Sequence, residues 1–218
     1  MSKIVIFGAG TFGETVCHYL TYHSEHEVVA YIDDAHLEKK EVGGLPVVAF
    51  ENVETIYPPD TYLMLIAIGY LGANEVRSRK YKEAKQKGYS MLTYVDERST
   101  IAEGVEIGDN CIILSNQCIG PFVKIGNNVI ISSGCYIGHH VVIEDNCFIA
   151  PHVAVAGSTT IEQGSFLGTN STVRNGVRIR KGSVIGAGAL ILKDTEEFSV
   201  YKGAESELLP KKSHEIKI

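Results

Sequence analysis

The stretch IAEGVEIGDNCIILSNQCIGPFVKIGNNVI, residues 101–130, decides the fold, because isoleucine stands at its first residue and at every sixth residue after it. The period continues without a slip to residue 191, always with Ile, Val or Leu. An α-helix repeats every 3.6 residues and a strand every two, so neither alone produces this pattern. A six-residue period predicts a β-solenoid, in which short strands and corners stack and the periodic anchor residue points inward.

The residue four positions after each anchor is the second feature of the repeat. It is small or β-branched in nearly every unit, with Gln117 as the exception, and in three units it is Cys111, Cys135 or Cys147. We therefore expect these three thiols to fill the interior rather than to act as nucleophiles. Gly, Asn or Asp often follows the anchor, which is typical of tight corners.

The first hundred residues have a different pattern. An apolar strand at 3–7 leads into the loop Gly8-Ala9-Gly10-Thr11-Phe12-Gly13, a predicted helix at 14–23 and a second strand at 28–32 that ends at Asp33-Asp34. This order is typical of a βαβ mononucleotide-binding unit. Further elements are predicted as strands at 62–68 and 90–95 and a helix at 75–87. The sequence predicts an α/β domain over 1–96, a β-solenoid over 97–193 and a C-terminal tail over 194–218.

The glycine-rich loop leaves several ligands open. A dinucleotide site needs two such halves, and the domain has room for one, which favours the nucleotide part of a nucleotide sugar over NAD. The carboxylates of Asp33 and Asp34 would accept hydrogen bonds from hydroxyl or base donors. A purely structural packing domain is the other alternative, since the turn requires glycines in every case.

Composition excludes several kinds of partner. The net charge of -6 disfavours nucleic acid. No apolar run approaches the roughly 20 residues of a membrane span, and Met1-Ser2-Lys3 leads straight into a strand rather than a signal peptide. Five cysteines without C-x-x-C spacing fit a reducing compartment. We expect a cytoplasmic protein with no membrane partner and no bound metal.

The units of form Ile-Gly-x-x-Val-x resemble those of the hexapeptide-repeat acyltransferases, whose fold is a left-handed parallel β-helix with three hexapeptides per coil. A half-Rossmann domain ahead of such coils is similar to the sialic acid O-acetyltransferase and bacillosamine N-acetyltransferase family, bacterial enzymes that use acetyl-CoA. Further matches lie in both domains: Ala67-Ile68-Gly69, Asn74-Glu75-Val76-Arg77, Ala156-Gly157, Phe166-Leu167-Gly168-Thr169-Asn170, Ile185-Gly186-Ala187-Gly188-Ala189 and Val200-Tyr201-Lys202-Gly203.

The resemblance implies a catalytic base at His139, just after a coil corner. An imidazole suits proton removal at neutral pH. Two departures from the family pattern bear on this site. The family commonly has a carboxylate after the base, where this chain has His140. A second histidine would orient the base less well, so the possible orienting or supporting residues are His140, Glu144 and Asp145, or the orienting partner is absent. The family's histidine that contacts acetyl-CoA corresponds to Phe148, which leaves His152 as the nearby replacement.

Further site residues are expected for both ligands. For acetyl-CoA, the resemblance implies Gly157, Gly168, Thr169, Gly186 and Gly188. His152 is expected there as the nearby replacement, and Lys193, beyond a basic cluster, as a cation that would pair with the CoA phosphates. Those expected to contact the nucleotide sugar are Gly8, Gly10, Thr11, Phe12, Asp33, Asp34 and Gly69. A histidine or lysine at a solenoid corner is otherwise a solvated surface residue.

The function implied is transfer of an acetyl group to the exocyclic amine, at C4 or C3, of a nucleotide-linked amino-deoxy sugar in surface glycan assembly. The enzyme would be a homotrimer with active sites between subunits. An alternative is O-acetylation of sialic acid or a related sugar. An alternative of another class is a non-catalytic, trimeric scaffold that binds nucleotide sugars.

Overall fold

The computed structural model describes residues 1–206 and 210 of the chain, which form two domains. The N-terminal domain has a five-stranded sheet in the order β3-β4-β2-β1-β5. Its strands are β1 (Lys3–Phe7), β2 (Glu27–Ile32), β3 (Glu41–Val42), β4 (Leu45–Val48) and β5 (Tyr62–Ile66), and its helices are α1 (Thr11–His23), α2 (Val53–Ile56) and α3 (Glu75–Gln86). Only the β3–β4 pair is antiparallel, a hairpin that the sequence did not lead us to expect.

The predicted βαβ unit is present. Strand β1 lies between two parallel neighbours and is buried after its first residue, as expected of an apolar central strand. Helix α1 packs Val16 and Leu20 against this sheet. Gly13 brings the helix close to the glycine-rich loop, since a Cβ there would lie 1.8 Å from the carbonyl oxygen of Gly8.

The strand predicted over 90–95 is wrong as a single element. Leu92 N–H donates to the carbonyl of Met64 in the N-terminal sheet, whereas Tyr94 N–H donates to the carbonyl of Cys111 in the first coil. The chain changes partner between these two residues. Its last two residues, Tyr94–Val95, form β6, the first rung of the second domain.

The second domain is a three-sided parallel β-helix in which residues eighteen apart pair, as Cys118 does with Tyr136. Each side is a sheet of two-residue strands. Face 1 contains β7 (Thr100–Ile101), β10 (Cys118–Ile119), β13 (Tyr136–Ile137), β16 (Ala154–Val155), β19 (Thr172–Val173) and β22 (Leu190–Ile191). Face 2 contains β8 (Glu106–Ile107), β11 (Lys124–Ile125), β14 (Val142–Ile143), β17 (Thr160–Ile161) and β20 (Arg178–Ile179). Face 3 contains β6 (Tyr94–Val95), β9 (Ile112–Ile113), β12 (Ile130–Ile131), β15 (Phe148–Ile149), β18 (Phe166–Leu167), β21 (Val184–Ile185) and β23 (Val200–Tyr201).

The six-residue period has the structural meaning predicted for it. The anchors line one continuous core. The third residue after each anchor has a positive φ at every corner from residue 104 to residue 188. This left-handed conformation accounts for the asparagines and glycines at corners, because these residues adopt it most readily.

The three interior cysteines lie in the core, as predicted. Burial raises the pKa of Cys135 to about 11 and those of Cys111 and Cys147 to about 12, so the thiols stay protonated at neutral pH. Gln117, the exception in the small-residue pattern, is also buried. Its amide donates to the carbonyls of Leu114 and Ser132 and accepts from Cys135 N–H, so its polar atoms are satisfied.

The N-terminal domain packs against face 3. The outward residues of β9, β12, β15 and β18 are Ile112, Ile130, Phe148 and Phe166, and they join one apolar cluster with residues of the N-terminal sheet and α1. Strands β6 and β23 extend the pairing of face 3 beyond residues 97–193 at both ends. Part of the predicted tail, residues 207–209 and 211–218, lies outside the described residues. No helix in the described part is long and apolar enough to cross a membrane.

Candidate active site

The predicted site residues fall on four parts of the molecule. Corner A, between faces 1 and 2, has His139, His140, Gly157 and Lys193. Corner B, between faces 2 and 3, has Glu144 and Asp145. Corner C, between faces 3 and 1, has His152, Gly168, Thr169, Gly186 and Gly188. The carboxyl edge of the N-terminal sheet has Gly8, Gly10, Thr11, Phe12, Asp33, Asp34 and Gly69.

His139 is exposed at corner A, two residues after β13. Its ring lies over Gly157, the residue at the equivalent place of the next coil. A Cβ at Gly157 would lie 2.6 Å from both Nε2 and Cε1 of His139. The absence of a side chain at residue 157 therefore determines where the imidazole can lie.

His140 holds the other side of the His139 ring. The two Nδ1 atoms are 3.1 Å apart and the two rings are nearly perpendicular, at 84°. His140 has a φ of 57°, and its ring packs on Phe122 with the centroids 4.6 Å apart. Phe122 was missed from the sequence, although its place eighteen residues before His140 is the signal that would have found it.

This contact restricts the protonation of the pair. Two facing ring nitrogens attract each other only when one carries a proton and the other does not. If Nδ1 of His139 donates to His140, the lone pair of His139 lies on Nε2, which has no hydrogen-bond partner among residues 1–206. His140 thus occupies the place that the sequence comparison assigned to an orienting carboxylate.

The two candidate carboxylates do not contact His139 in the structure. Glu144 accepts a hydrogen bond from Gln163 N–H at 3.0 Å, and Asp145 accepts one from Asn127 N–H at 2.7 Å. Both bonds join successive coils at corner B. The carboxylates therefore stabilise that corner, and within this chain they lie away from the base.

Most of the glycines predicted to contact acetyl-CoA have a structural reason to be glycine. A Cβ at Gly168 would lie 2.7 Å from the Ala187 nitrogen, and one at Gly186 would lie 3.0 Å from the Tyr201 carbonyl oxygen. Gly188 has a φ of 67°. His152, Thr169 and Lys193 are exposed at their corners. A donor-binding role for these residues stays a prediction.

At the N-terminal sheet edge, two glycines are not required to be glycine by backbone conformation or by packing. Gly8 has a φ of 120°, and a Cβ there would lie 2.7 Å from the Ala67 carbonyl oxygen. Gly10 and Gly69, by contrast, have ordinary φ values and open space where a Cβ would point. They lie after the neighbouring strands β1 and β5, and Gly10 begins α1, whose N-terminus has no side-chain cap. Open backbone and free helix amides suit an anionic ligand.

Asp33 and Asp34 already have partners within the chain. Asp33 accepts hydrogen bonds from Ala9 N–H and Ala35 N–H, both at 2.7 Å, and its Oδ2 is 3.0 Å from Nδ1 of His36. Burial raises the pKa of Asp33, but these hydrogen bonds outweigh it and lower the pKa below its usual range. Asp34 binds Phe50 N–H and the Lys80 ammonium. Asp33 therefore stabilises the glycine-rich loop through its hydrogen bond from Ala9 N–H. Direct contact of either carboxylate with a nucleotide stays a prediction.

Corner A lies opposite face 3, so His139 and the N-terminal domain are on opposite sides of the same β-helix. A groove of about 660 Å³ lies between α3 and corner B, and one of about 470 Å³ lies on face 2. His139 lines neither groove. Within one chain, the β-helix therefore lies between the candidate base and the candidate nucleotide edge.

Comparison with known proteins gives matches over both domains. Residues 3–84 match the model of the PglD N-terminal domain, and residues 95–202 match that of the GMPPB C-terminal domain. No curated protein matches the chain.

Three solved structures share the fold. Perosamine N-acetyltransferase from Caulobacter crescentus, as a variant with one histidine replaced by asparagine and in complex with CoA and GDP-perosamine, has a TM-score of 0.85 and 24% identity over 93% of this chain and 94% of that chain. The acetyltransferase domain of PglB from Neisseria gonorrhoeae, in complex with acetyl coenzyme A, has a TM-score of 0.83 and 22% identity over 92% and 96%. WeeI from Acinetobacter baumannii has a TM-score of 0.75 and 24% identity over 93% and 97%.

The shared fold is the left-handed β-helix that the sequence resemblance implied. The chain thus joins a domain that matches the PglD N-terminal domain, over residues 3–84, to a left-handed β-helix that matches the GMPPB C-terminal domain, over residues 95–202.

Proposed function

We propose that this protein transfers the acetyl group of acetyl-CoA to the exocyclic amine of a nucleotide-linked amino sugar, with His139 as the general base. One observation carries the proposal. The His139 imidazole is exposed at a coil corner, with Nδ1 held by His140 and with Nε2 above Gly157, where it has no hydrogen-bond partner among residues 1–206.

The chemistry requires a base in this form. The amine nitrogen attacks the thioester carbonyl, and as the new C–N bond forms the nitrogen must lose a proton. Nε2 of His139 accepts that proton, the C–S bond breaks, and the proton passes to the sulfur of the departing CoA. The Nδ1 contact with His140 fixes the ring orientation during this transfer, which is the role an orienting partner has for a catalytic histidine.

The choice of substrates is supported by the proteins that share the fold. Perosamine N-acetyltransferase was crystallised with CoA and GDP-perosamine, and the PglB domain with acetyl coenzyme A. The open glycines Gly10 and Gly69 support the N-terminal sheet edge as the place of the nucleotide. A role in surface glycan assembly in the cytoplasm follows from such an acceptor.

The separation of His139 from that edge supports a homotrimer. A symmetric ring of three copies is closed, and it would place corner A of one β-helix beside another copy. The sugar of a nucleotide bound at one N-terminal domain would then reach His139 of a neighbour. Residues predicted to contact acetyl-CoA lie at corners A and C, on either side of face 1, and the same packing would bring corner A of one copy to corner C of the next.

The test is thiol release from acetyl-CoA with a panel of nucleotide-linked amino sugars and sialic acid, for the unmodified protein and for His139→Ala. We expect turnover with an amino sugar and a fall in kcat/KM of about 10²–10⁴-fold in His139→Ala, the usual range for a lost general base. His18→Ala is the matched control, because His18 is an exposed histidine on α1.

Each of the other possible results would support a different function or a different base. Turnover with hydroxyl acceptors alone would replace N-acetylation by O-acetylation. Nucleotide-sugar binding without turnover would favour the scaffold. An undiminished rate in His139→Ala would remove His139 as the base.

A further inference from the structure

Arg77 on α3 is completely buried and has no carboxylate partner in the described part of the chain. Burial lowers the pKa of Arg77 to about 10, so its guanidinium is still charged at neutral pH. A buried charge is costly unless hydrogen bonds compensate it. The hydrogen bonds that compensate the buried charge of Arg77 therefore indicate which parts of the molecule this side chain holds together.

The guanidinium binds oxygens from both domains. Nη1 donates to the carbonyl of Gly69 at 3.2 Å and to Oδ1 of Asn74 at 2.9 Å. Nη2 donates to the carbonyls of Asn146 and Cys147, at 2.8 and 3.0 Å, at corner B of the β-helix. A single side chain thus connects the loop after β5 to one coil.

Asn74 repeats this connection one coil further on. Its Nδ2 donates to the carbonyl of Gly164 at 3.0 Å and more weakly to that of Ser165 at 3.4 Å. These carbonyls lie eighteen residues after those that Arg77 binds, so the two side chains occupy equivalent places on successive coils. The spacing of the coils therefore sets the position of the loop.

The loop between Gly69 and Asn74 is strained. Gly72, Ala73 and Asn74 have successive φ values of 61°, 49° and 70°. A non-glycine residue in this region is strained, and the conformation persists where surrounding contacts impose it. Here the imposing contacts are those of Arg77 and Asn74 with the β-helix.

The same loop borders the nucleotide edge. It begins at Gly69, one of the two glycines that neither backbone conformation nor packing requires, and then presents Tyr70 and Leu71 with 58% and 68% of their surfaces exposed. The Tyr70 ring also packs on Phe148 and Phe166 of face 3. Two adjacent apolar side chains exposed next to open backbone offer contact surface to a ligand at this edge.

We propose that Arg77 is a positioning residue for the acceptor, which acts through Gly69 and Asn74 to place the loop 69–74 in register with the coils. The proposal rests on the proposed function in one respect only, that the acceptor binds at this edge. Arg77 itself touches no substrate.

The variant Arg77→Lys tests this, because lysine keeps the charge but cannot present the planar fork to four oxygens. Asn74→Gly is the second variant, since glycine keeps the left-handed backbone and removes only the side chain. Arg79→Lys is the control, on the exposed side of the same helix and paired with Glu83. Two measurements apply to each: amide hydrogen exchange of residues 67–74 without substrates, and steady-state KM for acceptor and for acetyl-CoA.

We expect faster exchange at residues 67–74 in Arg77→Lys and Asn74→Gly and not in Arg79→Lys. The acceptor KM should rise about tenfold, which corresponds to about 1.4 kcal/mol, while the KM for acetyl-CoA stays unchanged. Unchanged exchange in this loop would overturn the proposal, as would a lower melting temperature without any change in acceptor KM. If neither the unmodified protein nor any variant turns over an amino sugar, the proposed function fails. The exchange result still tests whether Arg77 positions the loop 69–74.

Discussion

At corner A the absence of one methyl group decides the position of the candidate base. His139 lies where a side chain of residue 157 would otherwise project, and His140 secures the opposite edge of the ring. The base is thus positioned by a neighbour in the chain and by a residue one coil away. A catalytic group needs this kind of support from packing and hydrogen bonds.

Gly157→Ala should displace the imidazole without disturbing the coil, because Gly157 does not have a positive φ. We expect kcat/KM to fall about a hundredfold, as for a misplacement of about 1 Å, and the melting temperature to stay the same. Steady-state kinetics and thermal unfolding measure both. Thr160→Ala, in the same coil, should change neither quantity. A fully active Gly157→Ala would show that the ring position does not limit the reaction.

Asp96, at the junction of the two domains, should make stability depend on pH. The guanidinium of Arg98 lowers the pKa of this buried carboxyl to about 2. Because the folded pKa is below the unfolded one, the stabilisation is complete above about pH 4 and is lost as the pH falls through about 2. In Asp96→Asn, stability should be lower at neutral pH and should vary less between pH 4 and pH 2. Denaturant unfolding at several pH values, with Asp60→Asn as control, measures this, and an unchanged slope would contradict it.

The corners of the coils are built on repeated side chains as well as repeated backbone. At corner B the buried residues Asn110, Asn128 and Asn146 form a ladder in which each amide donates to the next at 2.7 Å. The end of the ladder, Oδ1 of Asn110, accepts Ile66 N–H of the edge strand β5. This bond satisfies one N–H of the edge strand, which also pairs with residues 90–92, and it connects the repeat directly to the other domain.

Replacing the middle of the ladder should be costly. Asn128→Ala leaves the neighbouring amide groups unpaired and puts alanine in a left-handed conformation, so we expect the free energy of unfolding to fall by about 3 kcal/mol. Asn128→Gly removes the same bonds without the backbone strain and should lose about 1 kcal/mol less. Asn175→Ala, at an exposed corner, is the control for denaturant unfolding. Equal stabilities for all three variants would show that the ladder contributes nothing.

The sequence of the short strands also contains a signal for the packing of the N-terminal domain on face 3. The residue before the anchor is apolar in every third unit, from Ile112 through Ile130 and Phe148 to Phe166, whereas face 2 has Glu106, Lys124 and Arg178 in the same place. That eighteen-residue stripe would have indicated which side the N-terminal domain covers. The strand predicted over 90–95 failed for a related reason, since its mostly apolar residues belong to two different sheets.

At the scale of the whole molecule, the candidate base and the nucleotide edge are on opposite sides of one β-helix. The proposed site therefore needs residues from two copies. Mixing two inactive variants distinguishes this arrangement from a site within one chain.

We expect His139→Ala and Gly10→Glu to be inactive alone, the second because the side chain fills the open space at the sheet edge. When they are co-expressed in equal amounts, one site in each mixed trimer keeps both intact parts, and random mixing should restore about a quarter of the unmodified activity. Analytical ultracentrifugation should show three copies in every case. No recovered activity in mixed trimers would place the complete site within one chain.

The sequence by itself determined the β-solenoid, its inward residues and the βαβ unit, because periodicity and local turn chemistry act over short stretches of chain. It also indicated His139, through the resemblance to a family whose base lies just after a coil corner. Only the tertiary structure decided which glycines the packing requires, which carboxylates are already bound, and how Arg77 connects the loop after β5 to two coils. Most of these properties depend on groups from different strands or different coils, and folding alone brings such groups within contact distance.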